Sequence, residues 1–159
     1  QIYLQSDMFN KGIRPAIHAG LSVSRVGSKA QHPVLRALTK GLRLQISQYE
    51  ELLRVGGFEI EISEEKKKEI ARLKTLYDTF LQKERTPHPL ELQCLLFFAA
   101  QQGFFAKWSK KGLLTQAEEN LAASVRADFP DFRKHVWEAK DFTPELKDEC
   151  LKILTLSLL

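Results

Sequence analysis

Residues 12–27 of the chain read Gly-Ile-Arg-Pro-Ala-Ile-His-Ala-Gly-Leu-Ser-Val-Ser-Arg-Val-Gly. Residues with strict backbone demands crowd this stretch: Gly12, Pro15, Gly20 and Gly27. Arg14 and Arg25 stand in an otherwise apolar run. A guanidinium is permanently charged, and placing it on an apolar strand end is costly unless it meets a carboxylate, a phosphate or a partner. Two readings stay open on physics alone. One is a structural salt bridge, the commoner outcome, and the other is phosphate recognition. Gly20 and Gly27 bracket an extended run with small hydroxyls, and Arg25 lies near its end.

Other catalytic constellations are missing from the sequence. It contains no GxxxxGK[ST] phosphate cradle, no GxGxxG, no HExxH and no GxSxG. His18, His32, His88 and His135 have no ligand-like spacing, and each reads as a surface or satisfied core histidine. The carboxylate pairs Glu50-Glu51 and Glu118-Glu119 sit on predicted helices beside bases and read as exposed charges rather than acid/base pairs. Cys94 and Cys150 belong to no CxxC or Cys/His cluster and read as buried free thiols, which suits a reducing or neutral compartment. No metal site is expected.

The elements that hold these residues follow from composition. With 159 residues, 43% hydrophobic and 28% charged, the chain can bury a core without disulfides or metal. The longest uninterrupted apolar run is Cys94–Ala100, far short of the roughly 20 residues a membrane-spanning helix needs. The net charge of +4 is mild and its bases are interspersed with acids, so a polyanionic partner is permitted but not demanded. The chain starts at Gln1 without Met, signal peptide or transit peptide, which reads as a processed chain or a piece of a longer one.

Residues 1–31 read as a strand (Ile2-Tyr3-Leu4), a turn at Gly12 to Pro15 and a second extended piece, Leu21-Ser22-Val23-Ser24. They look like the end of a domain whose other strands are absent. From residue 32 the helical period takes over. Val34, Leu38, Leu42, Ile46, Tyr49 and Leu53 share one helix face, which Gly56-Gly57 ends. Phe58, Ile60 and Ile62 form a brief extended link, and Ser63 caps a helix carrying Ile70, Leu73, Leu76, Tyr77 and Phe80. The run Lys66-Lys67-Lys68 on that helix, flanked by acids, reads as a solvated face. A loop from Gln82 to Pro89 follows. Leu90 through Trp108 is apolar nearly all round and is expected to be the most buried helix. Thr115 with Glu118 reads as a capping box for a helix through Leu121 and Val125. Phe132, Val136 and Trp137 continue after Pro130. Thr143 and Pro144 open a last helix with Leu146, Cys150, Ile153 and Leu154 facing in. The expected fold is mainly α, a bundle of about six helices behind a short β remnant. Residues 1–31 and 32–159 read as separate domains.

The string GIRPAI-AGLSVSRVGS-AQ resembles the signature of the alpha subunits of F-type ATP synthases. Gln1 to Phe9 resembles the strand and turn that precede it in that family, and Gln48-Tyr49 resembles the end of the family's next helix. Counting without gaps from Tyr49, Gln82 falls on the first glutamine of a Lys-Gln-x-Gln stretch, and Pro87, Glu91-x-Gln93, Phe98-Ala99 and Gly103-Phe104 continue in register. The carboxyl-terminal part is similar in helix pattern alone.

The resemblance implies a concrete machine. Alpha subunits alternate with beta subunits in a hexamer around a rotating shaft and couple ATP synthesis or hydrolysis to proton transport. Catalytic sites lie mainly on beta. Residues 1–31 would be the end of a RecA-like nucleotide-binding domain, and 32–159 the carboxyl-terminal helical bundle. Arg25 occupies the place of the arginine finger that alpha supplies in trans, worth roughly 10³–10⁵ in rate. Ser22 matches a serine that shapes the interface strand, and Val23 lines the same catalytic boundary. Arg14 and Pro15 match residues bordering the adenine of alpha's own non-catalytic site. Gln82, Lys83 and Glu84 match the loop that hydrogen-bonds that adenine. The implied cofactor is ATP or ADP, as a magnesium nucleotide bound mostly by residues outside this chain. The implied partners are beta subunits, the central shaft and the rest of the alpha subunit. Nucleic acid and a direct membrane span are not expected.

Two departures stand out. His18 replaces an asparagine, and Glu84 replaces the second adenine-side glutamine. A carboxylate cannot donate to a ring nitrogen as an amide can. The chain also lacks the phosphate loop and most of the nucleotide domain, so turnover in isolation is not expected. It is either part of a longer alpha chain or one polypeptide of a split subunit. The Gly27-Ser28-x-Ala30-Gln31 form points to the matrix side of a mitochondrial inner membrane, with the cytoplasmic face of a bacterial plasma membrane as the alternative. Two other functions compete: a non-catalytic assembly module derived from the alpha subunit, and a free helical domain binding RNA or protein.

Overall fold

A computed structural model describes residues 1–55 and 64–158. The expected Gly56-Gly57 stop, the Phe58-Ile60-Ile62 link, the Ser63 cap and the side chain of Leu53 lie outside the described residues.

The chain is mainly α. Helix α1 (Ser6–Asn10) is followed, after a single 3-10 turn at Gly27–Ala30, by α2 (Pro33–Thr39), α3 (Leu42–Val55) and α4 (Glu64–Asp78). Then come α5 (Leu90–Gln102), α6 (Ala106–Lys110), α7 (Leu114–Asp128), α8 (Phe132–Glu138) and α9 (Pro144–Leu158). Two of the six expected helices are therefore divided. Gly41 sits at φ +82° between α2 and α3, and Gly103 at φ +79° ends α5. Only glycine takes that left-handed backbone without strain, so each forces a break that the uninterrupted apolar spacing conceals. At Gly103 the amides of Gly103 and Phe104 turn back to the carbonyls of Ala100 and Ala99, at 3.3 and 3.0 Å, closing the helix end.

The β remnant is one antiparallel bridge, Leu4 to Ile17. Gln5 donates to the Ala16 carbonyl and His18 to that of Tyr3, both at 2.9 Å. The Asp7-Met8-Phe9 stretch coils into α1 instead of continuing the strand. Leu21–Ser24 is not a strand either: Ser22 folds back to bond its neighbours, as described below. Its hydrogen bonds run to His18 within the turn and across to Gln1 and Tyr3, without forming a strand ladder.

Helix α5 is the centre of the bundle, packed against α2, α4, α7, α8 and α9. Cys94, Leu95 and Ala99 are wholly buried, and Phe105 just beyond is as well. The amphipathic faces read from the sequence all turn inward: Val34 and Leu38 from α2, Leu121 and Val125 from α7, Phe132 and Val136 from α8, and Leu146, Cys150, Ile153 and Leu154 from α9. Trp137 does not join them and is 55% exposed, its ring edge-on to His32 at 5.8 Å. Gln101 of α5 donates to the Leu38 carbonyl at 2.6 Å, giving a partner to a carbonyl that the end of α2 leaves free. Both cysteines are buried free thiols. Lys66, Lys67 and Lys68 lie on an exposed face, with Lys67 paired to Glu64 at 2.7 Å.

Helix ends are set differently at α7 and α9. Thr143 does cap α9, its hydroxyl accepting from the Leu146 amide at 3.3 Å, with Pro144 at the first helical position. Thr115 caps nothing, because α7 begins at Leu114 and leaves Thr115 inside the first turn.

A second, smaller core holds the amino-terminal segment. Ile46 and Tyr49 of α3 meet Leu73 and Tyr77 of α4, and Met8, Ile13 and Ala19 pack on them. No helix among the described residues is long and apolar enough to cross a membrane.

Candidate nucleotide-facing site

Three of the eight candidate residues come together. The Arg14–Pro15 peptide is cis, and the Arg14 carbonyl accepts a hydrogen bond from the Gln82 amide at 3.0 Å. The Arg14 guanidinium lies over the Phe9 ring, 4.3 Å from its centre, a cation–π contact that fixes it without neutralising it. Pro15 and Gln82 line a cavity of about 240 Å³ between the amino-terminal segment and helices α3 and α4. Ile13, Ile17, Ile46 and Phe80 are among the apolar residues of its wall.

Lys83 and Glu84 leave this group. Lys83 pairs with Glu119 of α7 at 3.1 Å, and Glu84 lies 3.4 Å from Arg85, 85% exposed. Arg85 sits at φ +57°, and the Thr86 hydroxyl donates to the Lys83 carbonyl at 2.6 Å. The loop thus turns its two charged residues outward after Gln82.

Ser22, Val23 and Arg25 form a separate arm. The Ser22 hydroxyl donates to the His18 carbonyl at 2.7 Å and accepts from the Tyr3 amide at 3.1 Å. Ser22 is therefore a staple that closes the turn after His18. Val23 is 57% exposed, and its amide donates to the Gln1 carbonyl at 2.9 Å. Ser24 accepts from the Gly27 amide at 3.0 Å, which bends the chain just past Arg25. Arg25 is exposed, and no hydrogen bond or ion pair joins it to any described residue. Of the two readings open for it, the internal salt bridge has no acceptor among the described residues.

His18 holds the root of this arm. Its Nδ1 accepts from the amides of Gly20 and Leu21, at 3.2 and 3.3 Å. The same nitrogen lies 3.6 Å from Glu50 Oε2, too far for a hydrogen bond. An Nδ1 that accepts carries no proton to give, so the two amide bonds describe His18 and the contact with Glu50 is proximity only. Arg43 of α3 donates to the Gly20 carbonyl at 2.8 Å and ties the arm to the bundle.

Glu50 and Tyr77, neither of them among the candidate site residues, also line the cavity. Glu50 is not the exposed charge expected of it: its side chain is only 18% exposed, and Oε1 is buried without a hydrogen-bond partner. Burial, then the neighbouring Glu50, Tyr49 and Asp78 charges, pushes the Tyr77 hydroxyl up to about 12. The signal for Glu50 was available, since it follows Ile46 by one helical turn on the inward face of α3. Glu118 departs from expectation in the same way. Burial, reinforced by Glu119 and opposed by Lys83, pushes its carboxyl up to about 7.

The profile of the ATP synthase alpha/beta chain, C terminal domain, matches residues 31–156. The chain belongs to this family. It is similar to the ATP synthase subunit alpha of Actinobacillus pleuropneumoniae serotype 3 (strain JL03), with 32% identity over 154 residues, 97% of this chain and 30% of that protein. Identity to the subunit alpha of Baumannia cicadellinicola is 32% over 155 residues, covering 98% of this chain and 30% of the relative. For Buchnera aphidicola (Acyrthosiphon pisum, strain APS) it is 31% over 155 residues, with the same coverage. The chain spans about 30% of the length of these relatives. Family membership thus rests on the helical bundle, while the similarity to alpha subunits runs on through the segment of Arg14 and Arg25.

Proposed function

We propose that this chain serves in the catalytic hexamer of an ATP synthase as part of an alpha subunit. In this role it helps to couple ATP synthesis and hydrolysis to proton transport. Arg25 acts in trans on catalytic sites held by beta-type subunits, with Ser22 setting the turn that presents it and Val23 lining the boundary. Residues 1–31 are the end of the nucleotide-binding domain and 32–159 the bundle that helps to encircle the shaft. Arg14, Pro15 and Gln82 border the base of a second, non-catalytic nucleotide, while Lys83 and Glu84 contribute at most from the rim.

One observation carries the reading: Arg25 projects a permanent charge from a segment that is stapled at Ser22, and among the described residues nothing accepts its hydrogen bonds. A planar fork of five donors suits the equatorial oxygens of a transferring phosphoryl group, and an ammonium does not reproduce it. Attachment to the membrane is peripheral, through the complex. The bacterial relatives favour the cytoplasmic face of a plasma membrane over the mitochondrial inner membrane.

The test is Arg25→Ala and Arg25→Lys in the assembled enzyme. Both leave assembly intact and lower multisite ATP turnover by at least about 10³. Unchanged turnover would move the assignment to a non-catalytic assembly module. Free monodisperse chain that binds nucleic acid with a steep salt dependence, and no beta-type partner, would replace both.

A further inference from the structure

A second cavity, of about 840 Å³, opens between helix α2, the start of α3 and the loop from α8 to α9. It shares Ala19, Ile46 and Phe80 with the cavity of Pro15 and Gln82, but none of the residues proposed above to meet a nucleotide lines it. Its charge is one-sided. Arg36 of α2, Lys40 just past the end of α2, Arg43 of α3 and Lys140 of the α8–α9 loop line it. Among the described residues Asp141 is the one acid they face there, and its carboxylate accepts from the Phe142 amide at 2.8 Å.

None of the four cations is ion-paired to a described residue. Arg43 donates to the Gly20 carbonyl, a neutral acceptor that aims the guanidinium and leaves its charge uncompensated. All four residues are exposed, so a ligand in the cavity can reach them. The first turn of α3, which also borders the cavity, carries no acid. Elsewhere the bases do find acids: Lys67, Lys74, Lys83 and Lys134 each meet a carboxylate. A concavity lined by one sign of charge focuses its field and concentrates anions of the other sign. The volume lies within the roughly 300–1,000 Å³ of small-molecule sites. Four cations call for more than one negative group, and a guanidinium fork suits phosphate oxygens.

We propose that this cavity binds a small ligand carrying two or more linked phosphates, its oxygens shared among Arg36, Lys40, Arg43 and Lys140. The inference is independent of the nucleotide sites assigned to Arg25 and Gln82.

The test uses the assembled enzyme and reads the cavity lysines themselves. A lysine amine is acetylated only when it is unprotonated and reachable, and a bound phosphate opposes both. The enzyme is treated with a water-soluble acetylating ester over a range of inorganic tripolyphosphate, at constant ionic strength, and acetylation is mapped by peptide. Lys40 and Lys140 are expected to be protected together along one saturating curve, by at least about fivefold, while Lys107 and Lys134 are not. Arg36→Gln is expected to raise the half-protecting concentration by about fivefold or more. ATP in place of tripolyphosphate distinguishes the sources of the phosphates. Equal half-protecting concentrations assign the contact to the phosphate chain alone, and a lower one for ATP assigns it to a nucleotide. Protection no greater than at Lys107 and Lys134, or a curve that Arg36→Gln does not move, overturns the proposal. Lys40 and Lys140 that resist acetylation with no phosphate added, and react once the complex is dissociated, overturn it in favour of a protein partner on this face.

Discussion

The Gln82 amide donates to the Arg14 carbonyl at 3.0 Å, joining two segments that are far apart in the chain and that both border the same cavity. Beyond it the loop turns away. The amide of Gln82 is therefore expected to exchange with solvent deuterium markedly more slowly than those of Lys83 and Glu84. Equal exchange along residues 82–84 would show that the link is not maintained in solution.

Glu84 sits 85% exposed beside Arg85 and offers no amide donor to a base. Nucleotide held at the proposed non-catalytic site should consequently exchange readily when the assembled enzyme is chased with unlabelled ATP. Glu84→Gln alone should change the exchange rate by less than about threefold, because the side chain stays outside the cavity. A tightly retained nucleotide with an ordered Glu84 contact would contradict this.

The carboxyl of Glu118 gives the bundle a pH dependence of definite sign. Its folded value of about 7 lies above the ordinary 4.5, chiefly because of burial. The folded state therefore holds a proton that the unfolded state releases between these values. The associated stability is fully present below pH 4.5 and is lost as the pH rises through about 7. Glu118→Gln should be more stable than the parent by roughly 1 kcal/mol at pH 8, after allowance for solvent screening. The two should be indistinguishable at pH 4. Urea denaturation at both pH values measures the difference.

Burial pushes both Cys94 and Cys150 up to about 12. The thiolate is the reactive form, and at pH 7.5 it is essentially absent from both. Neither should react with a water-soluble maleimide in the folded chain, and both should react in denaturant. Labelling of either under native conditions would show that the wall around α5 opens.

Leu95 lies at the centre of the bundle with no exposed surface. Leu95→Ala should cost about 2–5 kcal/mol, since α5 is enclosed by helices on every side and cannot collapse onto the gap. An exposed control, Leu156→Ala on α9, should cost below about 0.5 kcal/mol. Paired denaturation curves report both.

Much of this fold was legible because apolar spacing is a direct record of which face is buried. The residues from Val34 to Tyr49 kept their inward face through the break at Gly41, which is why the face was read correctly and the break was missed. Backbone handedness leaves its mark on one glycine, not on the periodicity around it. The candidate site was legible in part. Arg14, Pro15 and Gln82, which the resemblance grouped, lie together in the fold, whereas Lys83 and Glu84 turn outward and pair with Glu119 and Arg85. Glu50 and Glu118 were hidden by a rule of thumb, that paired carboxylates among bases are solvated. In each pair the helix carries one member round to its packed side. Leu21–Ser24 read as extended because its β-friendly residue types carry no sign of the Ser22 hydrogen bonds that fold it back.

The hydrogen bonds of Gln82 and Arg43 clamp the amino-terminal arm near Arg14 and at Gly20, and Ser22 adds the last staple. Past that point the chain runs as a loop to the 3-10 turn at Gly27–Ala30 and on into α2. Its tip carries the Arg25 guanidinium, and no described contact from the bundle sets the tip's final position. In the role proposed for Arg25, the group that the guanidinium grips would complete its alignment, and the reach of this charge would then be a property of two molecules in register.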